Sequence, residues 1–473
     1  MIEIEQHSRR TKVVKSFEGQ ALTREGALKV AAEEVDVLRL VYDRHCSQAI
    51  LDFIKAANGQ RNPTQQLSIM LDISSWTQGM ISGLAQPRAL AFGEKITLSP
   101  EGGKGALQVR TDNWDHLFVQ DAKVFLGPGY VSARVTSVQA NLAELEVTQG
   151  GDVYSEMDVV IPETRKERQP VTAEELKDFL HEGVDYLIVP GQWTTATIAE
   201  YRGALVHEAG DAAPWLLAKV DSGEVCERLP ELIQAVDGVL ISRREMAYTV
   251  NPATMPMITK EIIQLCNDQA KVVVTASEML ASMRRNVTPT RAEVSDIANA
   301  VLDGTDAVVL SEEVANGRYG SEAVATIDRI IRDIEDYAHV APNWIKHAPR
   351  VTNEMDAVAY EAYRTAERLN AKALVCITKG GNTALKLASF RPPVPIIAVT
   401  FTQPVVRRLS IVRGVDSLLL EVNPNLDEVL PVVNDRLVRS SWLKPGDRII
   451  FVSITLSSVG LESSNLFNVQ TLT

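Results

Sequence analysis

The chain has 473 residues, 51.9 kDa and 45% hydrophobic residues, which is typical of two or three folded domains and excludes a mainly disordered chain. Its 48 Lys and Arg against 61 Asp and Glu give a net charge of −13, and aromatic residues make up only 5%. These values argue against general binding to nucleic acid or to an anionic membrane, because both need basic charge and the former also uses stacking surface. A local basic pocket for a small anion is still compatible with them.

Cysteine spacing and hydropathy indicate a cytoplasmic protein. The four cysteines lie too far apart for a zinc motif or a small disulfide scaffold, which favours a reduced compartment. The N-terminal residues contain no apolar stretch like that of a signal peptide, and no run of about 18 apolar residues is present to cross a membrane.

Short apolar runs alternate with helical patterns through the first 330 residues. The strand-like runs lie at 11–14, 35–42, 67–73, 186–191, 215–220, 237–243, 271–277 and 307–313. Runs this apolar are typical of parallel strands buried on both faces, and patterns such as 172–183 and 254–269 predict amphipathic helices between them. Eight strands with crossover helices predict a (β/α)₈ barrel, for which about 250 residues are typical. We assign residues 1–73 and 163–340 to this barrel.

Residues 74–162 break this rhythm between the third and the fourth strand-like runs. They alternate apolar and polar residues with glycine punctuation, which predicts an inserted β-barrel-like domain. A charged helix at 326–339 and Pro342 then lead into a third region. Alternating helices and strands over residues 345–473 predict a C-terminal doubly wound α/β domain.

The most specific stretch of the sequence is PTRAEVSDIANAVLDGTDAVVLS at 289–311, preceded by VDGVLISRREM and KVVVTASEMLASM. Together with AKVDSGE around Lys219 and the order of the domains, these runs resemble the pyruvate kinase family over essentially the whole chain. The resemblance implies phosphoryl transfer from phosphoenolpyruvate to ADP, followed by protonation of the enolate. It also implies a small anionic substrate, phosphoenolpyruvate or a 2-oxo acid, and a homo-oligomer, either a tetramer or a dimer.

The resemblance also implies roles for individual residues. The candidate catalytic residues are Lys219, Arg39, Ser277 and Arg244, and the candidate substrate-binding residues are Asp72, Arg243 and Ala276. Such cations, held in place before the reaction, stabilise a transferring phosphoryl group and an enolate oxygen. Taken singly, Arg39 could form a structural ion pair and Asp72 could cap a helix; together with Lys219 they favour an anion pocket.

Two carboxylates are candidate ligands for a divalent metal. The resemblance places Asp221 and Glu245 at the metal-binding positions of the family, with the two lengths exchanged, Glu to Asp and Asp to Glu. Mg²⁺ or Mn²⁺ is the expected ion, because hard divalent cations prefer carboxylate oxygens. The alternative is that both are solvated carboxylates on loops.

Several positions depart from the family pattern. In the run 39–45, Val41 and Asp43 stand where the family has Asn and Ser, so we expect the potassium site to be lost. The run 72–79 lacks the lysine and the second arginine of the family, and Arg244 replaces a glycine. Because each charge-assisted hydrogen bond contributes roughly 1.5–3 kcal/mol, these losses predict weak or absent phosphoryl transfer to ADP.

The retained and the lost residues lead to three hypotheses. The main hypothesis is divalent-metal-assisted enolate or phosphoenolpyruvate chemistry on pyruvate or a related 2-oxo acid, with phosphoryl transfer to ADP weak or lost. The first alternative is a divergent but active pyruvate kinase that converts phosphoenolpyruvate and ADP to pyruvate and ATP. The second alternative is a pseudoenzyme that acts as a sensor or a scaffold.

A turn in the C-terminal domain resembles the family turn that binds sugar-phosphate effectors. It forms a candidate effector loop of Thr378, Lys379, Gly380, Gly381, Asn382 and Thr383. Glycines and hydroxyls at a helix N-terminus suit an anion. The alternative is a plain turn from a strand to a helix.

Overall fold

A computed structural model of the chain describes residues 9–30, 33–59, 67–74, 78–103, 105–111, 114–127, 131–155, 157–164, 170–276, 279–315, 317–340, 351–420, 426–439, 442–454 and 465–472. Within these ranges, no helix combines the length and the apolar character that a membrane span requires.

The described strands and helices follow one another in three groups along the chain. The strands are β1 (Lys12–Phe17), β2 (Val37–Val41), β3 (Ser68–Asp72), β4 (Gly79–Ser82), β5 (Arg88–Leu90), β6 (Lys95–Ser99), β7 (Leu107–Arg110), β8 (Lys123–Leu126), β9 (Val131–Gln139), β10 (Leu142–Gln149), β11 (Gly151–Val153), β12 (Asp158–Val160), β13 (Tyr186–Pro190), β14 (Trp215–Val220), β15 (Gly238–Ser242), β16 (Val272–Ala276), β17 (Ala307–Leu310), β18 (Ala373–Ile377), β19 (Ile396–Thr400), β20 (Val415–Leu419), β21 (Arg448–Ile454) and β22 (Asn465–Thr471). The helices are α1 (Arg24–Val30), α2 (Ser47–Asn58), α3 (Trp114–Leu117), α4 (Lys177–His181), α5 (Thr195–Ala209), α6 (Gly223–Ala235), α7 (Arg243–Met246), α8 (Met255–Asp268), α9 (Arg291–Asp303), α10 (Glu312–Ala315), α11 (Gly320–Val340), α12 (Glu354–Leu369), α13 (Asn382–Ser389), α14 (Gln403–Leu409) and α15 (Leu426–Arg439).

Eight parallel strands close into a barrel in the order β1–β2–β3–β13–β14–β15–β16–β17. Their residues are apolar on both faces because one face fills the barrel and the other packs against the surrounding helices. Leu217 belongs to the inner core, so Lys219, two residues further along β14, also points inward, at the carboxyl end of the strand. Lys219 is thereby placed at the mouth of the barrel where the strands have their carboxyl ends.

The inserted domain leaves the barrel after β3 and returns before β13. Seven of its strands close into a second barrel in the order β10–β6–β7–β4–β12–β8–β9, and β5 pairs with β11. It has a hydrophobic core of its own, which includes Ile81, Leu98, Val124 and Leu145. The predicted β-barrel-like insertion is thereby confirmed.

The C-terminal domain is a five-stranded sheet in the order β20–β19–β18–β21–β22, with only β22 antiparallel to its neighbour. Helices cover both faces, which confirms the doubly wound α/β prediction. One face shares a continuous core with the barrel interior, where Tyr186 and Leu217 belong to the same cluster as Leu374 and Leu409. Because Tyr186 begins β13, the C-terminal domain closes the barrel at the amino ends of its strands.

Buried ion pairs reinforce this contact between the barrel and the C-terminal domain. Arg407 Nε lies 2.7 Å from Asp185, which precedes β13. Arg413 Nη2 lies 3.4 Å from Glu335 on α11, with side chains only 6% and 3% exposed. Burial opposes the charge of Glu335, but Arg413 and the backbone N–H of Arg10 outweigh it and lower the pKa of this carboxyl.

A capping box begins helix α9. Glu293 N donates to Thr290 Oγ1 at 3.3 Å, and Thr290 N donates to Glu293 Oε2 at 2.7 Å. Ser282 adds two donors to the same carboxylate, its N–H at 2.7 Å and its hydroxyl at 2.6 Å. Although burial opposes the charge of Glu293, these hydrogen bonds lower its pKa below the ordinary value.

The capping carboxylate makes the stability of the α9 region depend on pH. Because the folded-state pKa of Glu293 is depressed, its contribution is complete above the unfolded pKa of about 4.3 and is lost as the pH falls through the folded value. We expect Glu293→Gln to lower the free energy of unfolding by about 1 kcal/mol at pH 7, and by less at acid pH. Denaturant titrations at both pH values measure this. Glu322→Gln, an exposed carboxylate on α11, is the control, and a Glu293→Gln effect of equal size at both pH values would contradict the prediction.

Candidate active site

A buried lysine and a carboxylate meet at the carboxyl ends of two neighbouring barrel strands. Lys219 pairs in register with Leu240 of β15, so the turn that follows β15 lies beside its side chain. Glu245 lies on that turn, α7, and accepts a hydrogen bond from Lys219 Nζ at 2.6 Å. The lysine side chain is only 2% exposed. A desolvated cation is therefore held in a fixed position at the barrel mouth.

An arginine is fixed next to this pair by the first three strands. Arg39 Nε and Nη2 both donate to Asp72 Oδ2, and Nη1 donates to Ser16 Oγ at 2.8 Å. Asp72 Oδ1 accepts from the backbone N–H of Ser74 at 2.9 Å and from its hydroxyl at 2.6 Å. Burial opposes the charge of Arg39, but Asp72 and, to a smaller extent, Glu18 and Glu245 raise its pKa above the ordinary value. Asp72 thus orients a permanently charged guanidinium.

The third cation of the mouth, Arg243, is tied to helix α9. Arg243 donates to both oxygens of Asp296, at 2.7 Å each, and its Nε lies 3.4 Å from the carbonyl oxygen of Ala276. This bidentate pair holds α7 against α9. The 289–311 stretch therefore helps to position the site through Asp296. The structure therefore brings Arg39, Lys219 and Arg243 to the same end of the barrel.

Arg244 makes its contact outside the barrel. Its Nη2 donates to Asp158 Oδ2 at 2.9 Å, and Asp158 is the first residue of β12 in the inserted domain. Ser277, the remaining candidate catalytic residue, lies outside the described residues. Arg244 is thus a link between two domains as well as a cation near the mouth.

The two candidate metal ligands lie at the ends of β14 and β15. Asp221 is 1% exposed, and its Oδ1 is 3.3 Å from Gln192 Nε2. Glu245 Oε2 is buried and has no hydrogen-bond partner among the residues that the structure describes. A buried, unsatisfied carboxylate oxygen is costly unless a cation or a donor meets it, so the site fits a divalent ion.

The small number of protein ligands indicates which ion suits the site. Across the described ranges, no group of three or more His, Cys, Asp and Glu side chains is arranged to hold a metal. Mg²⁺ is commonly bound by one or two carboxylates and completes its octahedron with water and substrate oxygens. Asp221 and Glu245 would therefore hold an ion of this class together with its substrate.

Gly191 keeps the end of β14 in place. A Cβ at this position would lie 2.1 Å from the carbonyl oxygen of Lys219 and 2.8 Å from Val225 Cγ1. We expect Gly191→Ala to displace Lys219 and to lower the free energy of unfolding by about 1–3 kcal/mol. Denaturant unfolding measures this effect. The control is Gly203→Ala in α5, where a Cβ meets nothing within 4 Å; equal losses in both variants would refute the prediction.

The candidate effector loop connects β18 to α13. Gly381 has φ of 100° and donates its N–H to Thr378 Oγ1 at 2.9 Å, so the loop turns tightly into the helix. Residues 455–464, which follow the neighbouring strand β21, lie outside the described residues. Effector binding at this loop stays a prediction.

Three residues in contact with the site were not identified from the sequence. Gln192 and Asp158 are 29 and 86 residues away from their partners in the chain, and neither lies in a recognisable motif. Asp296 lies inside the 289–311 stretch, three residues after the capping Glu293. Its helical spacing from that cap was the one usable signal, because it places both carboxylates on the same side of α9.

The fold and the site define a (β/α)₈-barrel protein with a lysine–carboxylate centre at the carboxyl ends of its strands. The family profile described as "Pyruvate kinase, barrel domain" matches residues 8–324, and the one described as "Pyruvate kinase, alpha/beta domain" matches residues 356–469. The chain belongs to the pyruvate kinase family.

Known relatives and solved structures agree with this assignment. Proteins named pyruvate kinase from Sporosarcina psychrophila, Geobacillus stearothermophilus and Mycobacterium tuberculosis are 31%, 34% and 30% identical over 389, 361 and 392 residues. The alignments cover 80%, 74% and 80% of this chain and 65%, 60% and 80% of the relatives, so the chain spans less than two thirds of the first two. A Cryptosporidium parvum pyruvate kinase solved in complex with ADP shares the fold, with a TM-score of 0.79 and 24% identity over 99% of this chain and 96% of that one.

Proposed function

We propose that this chain transfers a phosphoryl group between phosphoenolpyruvate and ADP at the site around Lys219. The observation that carries the proposal is the pair of buried Lys219 and partly buried Glu245 at the mouth of a barrel that matches the family. The main hypothesis from the sequence was that transfer to ADP is weak or absent. The relatives named pyruvate kinase favour the alternative of an active enzyme, and we adopt it here.

The fixed cations suit the two charges that the reaction develops. Negative charge builds on the transferring phosphoryl group and on the enolate oxygen, and preorganised donors aimed at those oxygens lower the barrier. Lys219 is desolvated, which strengthens its attraction to an anion over that in water. Arg39 is oriented by Asp72 and Ser16 before any substrate binds, so it needs no reorganisation to hold a phosphate.

Asp221 and Glu245 are the groups that would hold Mg²⁺ or Mn²⁺. When bound, such an ion supplies Lewis-acid stabilisation of a phosphoryl or enolate oxygen. The unsatisfied Oε2 of Glu245 supports this role. Gln192, within 3.3 Å of Asp221, orients the second carboxylate.

A second candidate is enolisation of a 2-oxo acid without transfer to ADP. The observation that favours it is the segment 72–79, which contains no lysine or arginine. Arg244 also contacts Asp158 of the inserted domain at a position where the family resemblance implies glycine. The first feature reduces the number of donors that a nucleotide phosphate could meet, and the second directs an Arg244 donor to Asp158.

One pair of measurements separates these functions. A coupled assay follows pyruvate formed from phosphoenolpyruvate and ADP with Mg²⁺ or Mn²⁺, and proton NMR in D₂O follows the loss of the pyruvate methyl signal. Turnover that Lys219→Ala abolishes supports the proposed function. Metal-dependent methyl exchange without turnover supports the second candidate. The absence of both turnover and methyl exchange would refute both functions and leave a role as a sensor or a scaffold.

The potassium dependence gives an independent prediction. Val41 offers no side-chain ligand, Asp43 Oδ1 accepts the N–H of His45 at 2.9 Å, and both oxygens of Asp72 accept hydrogen bonds. We therefore expect equal turnover in potassium chloride and in tetramethylammonium chloride of the same ionic strength. Activity that rises with K⁺ and saturates would contradict this expectation.

A further inference from the structure

Helix α7 is held by three separate parts of the molecule. Arg243 is tied to α9, and Glu245 binds Lys219 on β14. Between them, Arg244 binds Asp158 on β12 of the inserted domain. Because α7 is a single turn and Glu245 follows Arg244 in it, a displacement of Arg244 also shifts the backbone that positions the Glu245 carboxylate. The inserted domain therefore contacts the residue that precedes Glu245 in the chain.

Tyr248 makes the second contact between this segment and the inserted domain. Its Oη donates to the carbonyl oxygen of Gly127 at 3.2 Å, and its ring centroid lies 5.2 Å from that of Phe125. Burial, with Asp158 nearby, raises the pKa of Tyr248, so its hydroxyl stays protonated and able to donate. Its phenol also lies within reach of Arg244.

The two contacts fall on one rigid edge of the inserted domain. Gly127 N donates to the carbonyl oxygen of Asp158 at 2.7 Å, and β8 and β12 are paired neighbours. The edge therefore moves as a unit when the inserted domain moves. Any displacement of that edge acts on both Arg244 and Tyr248.

We propose that Arg244, Asp158 and Tyr248 form a latch that seats the inserted domain on the segment 243–248 and thereby sets the position of Glu245. The three are positioning residues: they act on the reacting groups through Glu245 and Lys219. The kinetic part of this inference rests on the proposed phosphoryl transfer. The conformational part does not, because it concerns contacts between two domains.

Charge changes at the two ends of the latch test the kinetic part. The ion pair is partly exposed, with side chains at 27% and 26%, so we expect Asp158→Asn and Arg244→Gln each to lower kcat about fivefold with little change in the KM for phosphoenolpyruvate. The exchanged double variant Arg244→Asp with Asp158→Arg should recover most of the loss. Arg88→Gln is the matched control, because Arg88 and Glu94 form a pair of similar exposure inside the inserted domain.

Hydrogen–deuterium exchange tests the conformational part without turnover. We expect Asp158→Asn to speed amide exchange in residues 243–250 of the full chain, and Arg88→Gln to leave it unchanged. Unchanged exchange in Asp158→Asn, or an equal drop of kcat in Arg88→Gln, would overturn the latch. Faster exchange in a protein that forms no pyruvate would support the latch and refute the proposed phosphoryl transfer alone.

Discussion

Lys219→Met is expected to lower kcat by about 100- to 1,000-fold, the range lost when one preorganised donor is removed from a developing oxyanion. The side chain is 2% exposed, so water cannot replace the lost ammonium group. Its removal also leaves the partly buried carboxylate of Glu245 without its cation partner. Because the effect falls on the transition state, we expect kcat to fall far more than the affinity for phosphoenolpyruvate.

The matched control is a second buried lysine of the same barrel. Lys15 on β1 has a side chain 7% exposed and pairs with Glu33 at 2.5 Å, but it points away from Ser16 and the mouth. Lys15→Met should destabilise the protein yet leave kcat close to that of the unchanged chain. Steady-state kinetics on both variants, with circular dichroism to verify folding, measure this. Equal loss of kcat in the two variants would refute the assignment of Lys219.

Glu335→Ala is expected to lower the free energy of unfolding by about 3–5 kcal/mol, the cost of removing one partner of a buried ion pair. Arg413 would be left charged in a site where its side chain is 6% exposed. Burial, only partly offset by Glu335, already lowers the pKa of Arg413 to about 10. The N–H groups of Arg10 and Thr11 would also lose their shared acceptor.

Denaturant unfolding of three variants measures how much this ion pair contributes to the free energy of unfolding. Glu335→Leu with Arg413→Met replaces the pair by apolar groups of similar size and should recover much of the loss. Arg439→Ala breaks an exposed pair with Asp435 on α15, with side chains 75% and 52% exposed, and should change little. A Glu335→Ala effect no larger than that of Arg439→Ala would show that the buried pair does not hold the domains together.

The repeating elements of the fold could be predicted because each carries its own local signal. The apolar run 237–243 predicts a strand buried on both faces, and β15 occupies Gly238–Ser242. The alternating pattern of 74–162 predicts a separate β domain for the same reason. Lys219 could be placed at the mouth, since its run ends a barrel strand and barrel sites lie at carboxyl ends.

Pairings between distant parts of the chain could not be predicted in this way. Spacing along a strand predicts which side chains reach the mouth of the barrel, but it does not predict which of them form ion pairs with one another. Arg244 and its partner Asp158 are 86 residues apart in the chain, and Arg407 and its partner Asp185 are 222 residues apart. Such contacts depend on how whole domains meet, which is decided by the sum of many packing interactions and not by any local pattern.

The buried side chains indicate that the inserted domain could be removed without exposing the barrel interior, whereas the C-terminal domain could not. The inserted domain keeps a core of its own and joins the barrel through two strand ends, so its exchange or loss would leave the barrel interior filled. Removal of the C-terminal domain would instead expose Tyr186 and the lower layer of the barrel to water. Over evolutionary time, a chain of this design can therefore change or lose its inserted domain far more readily than its C-terminal domain.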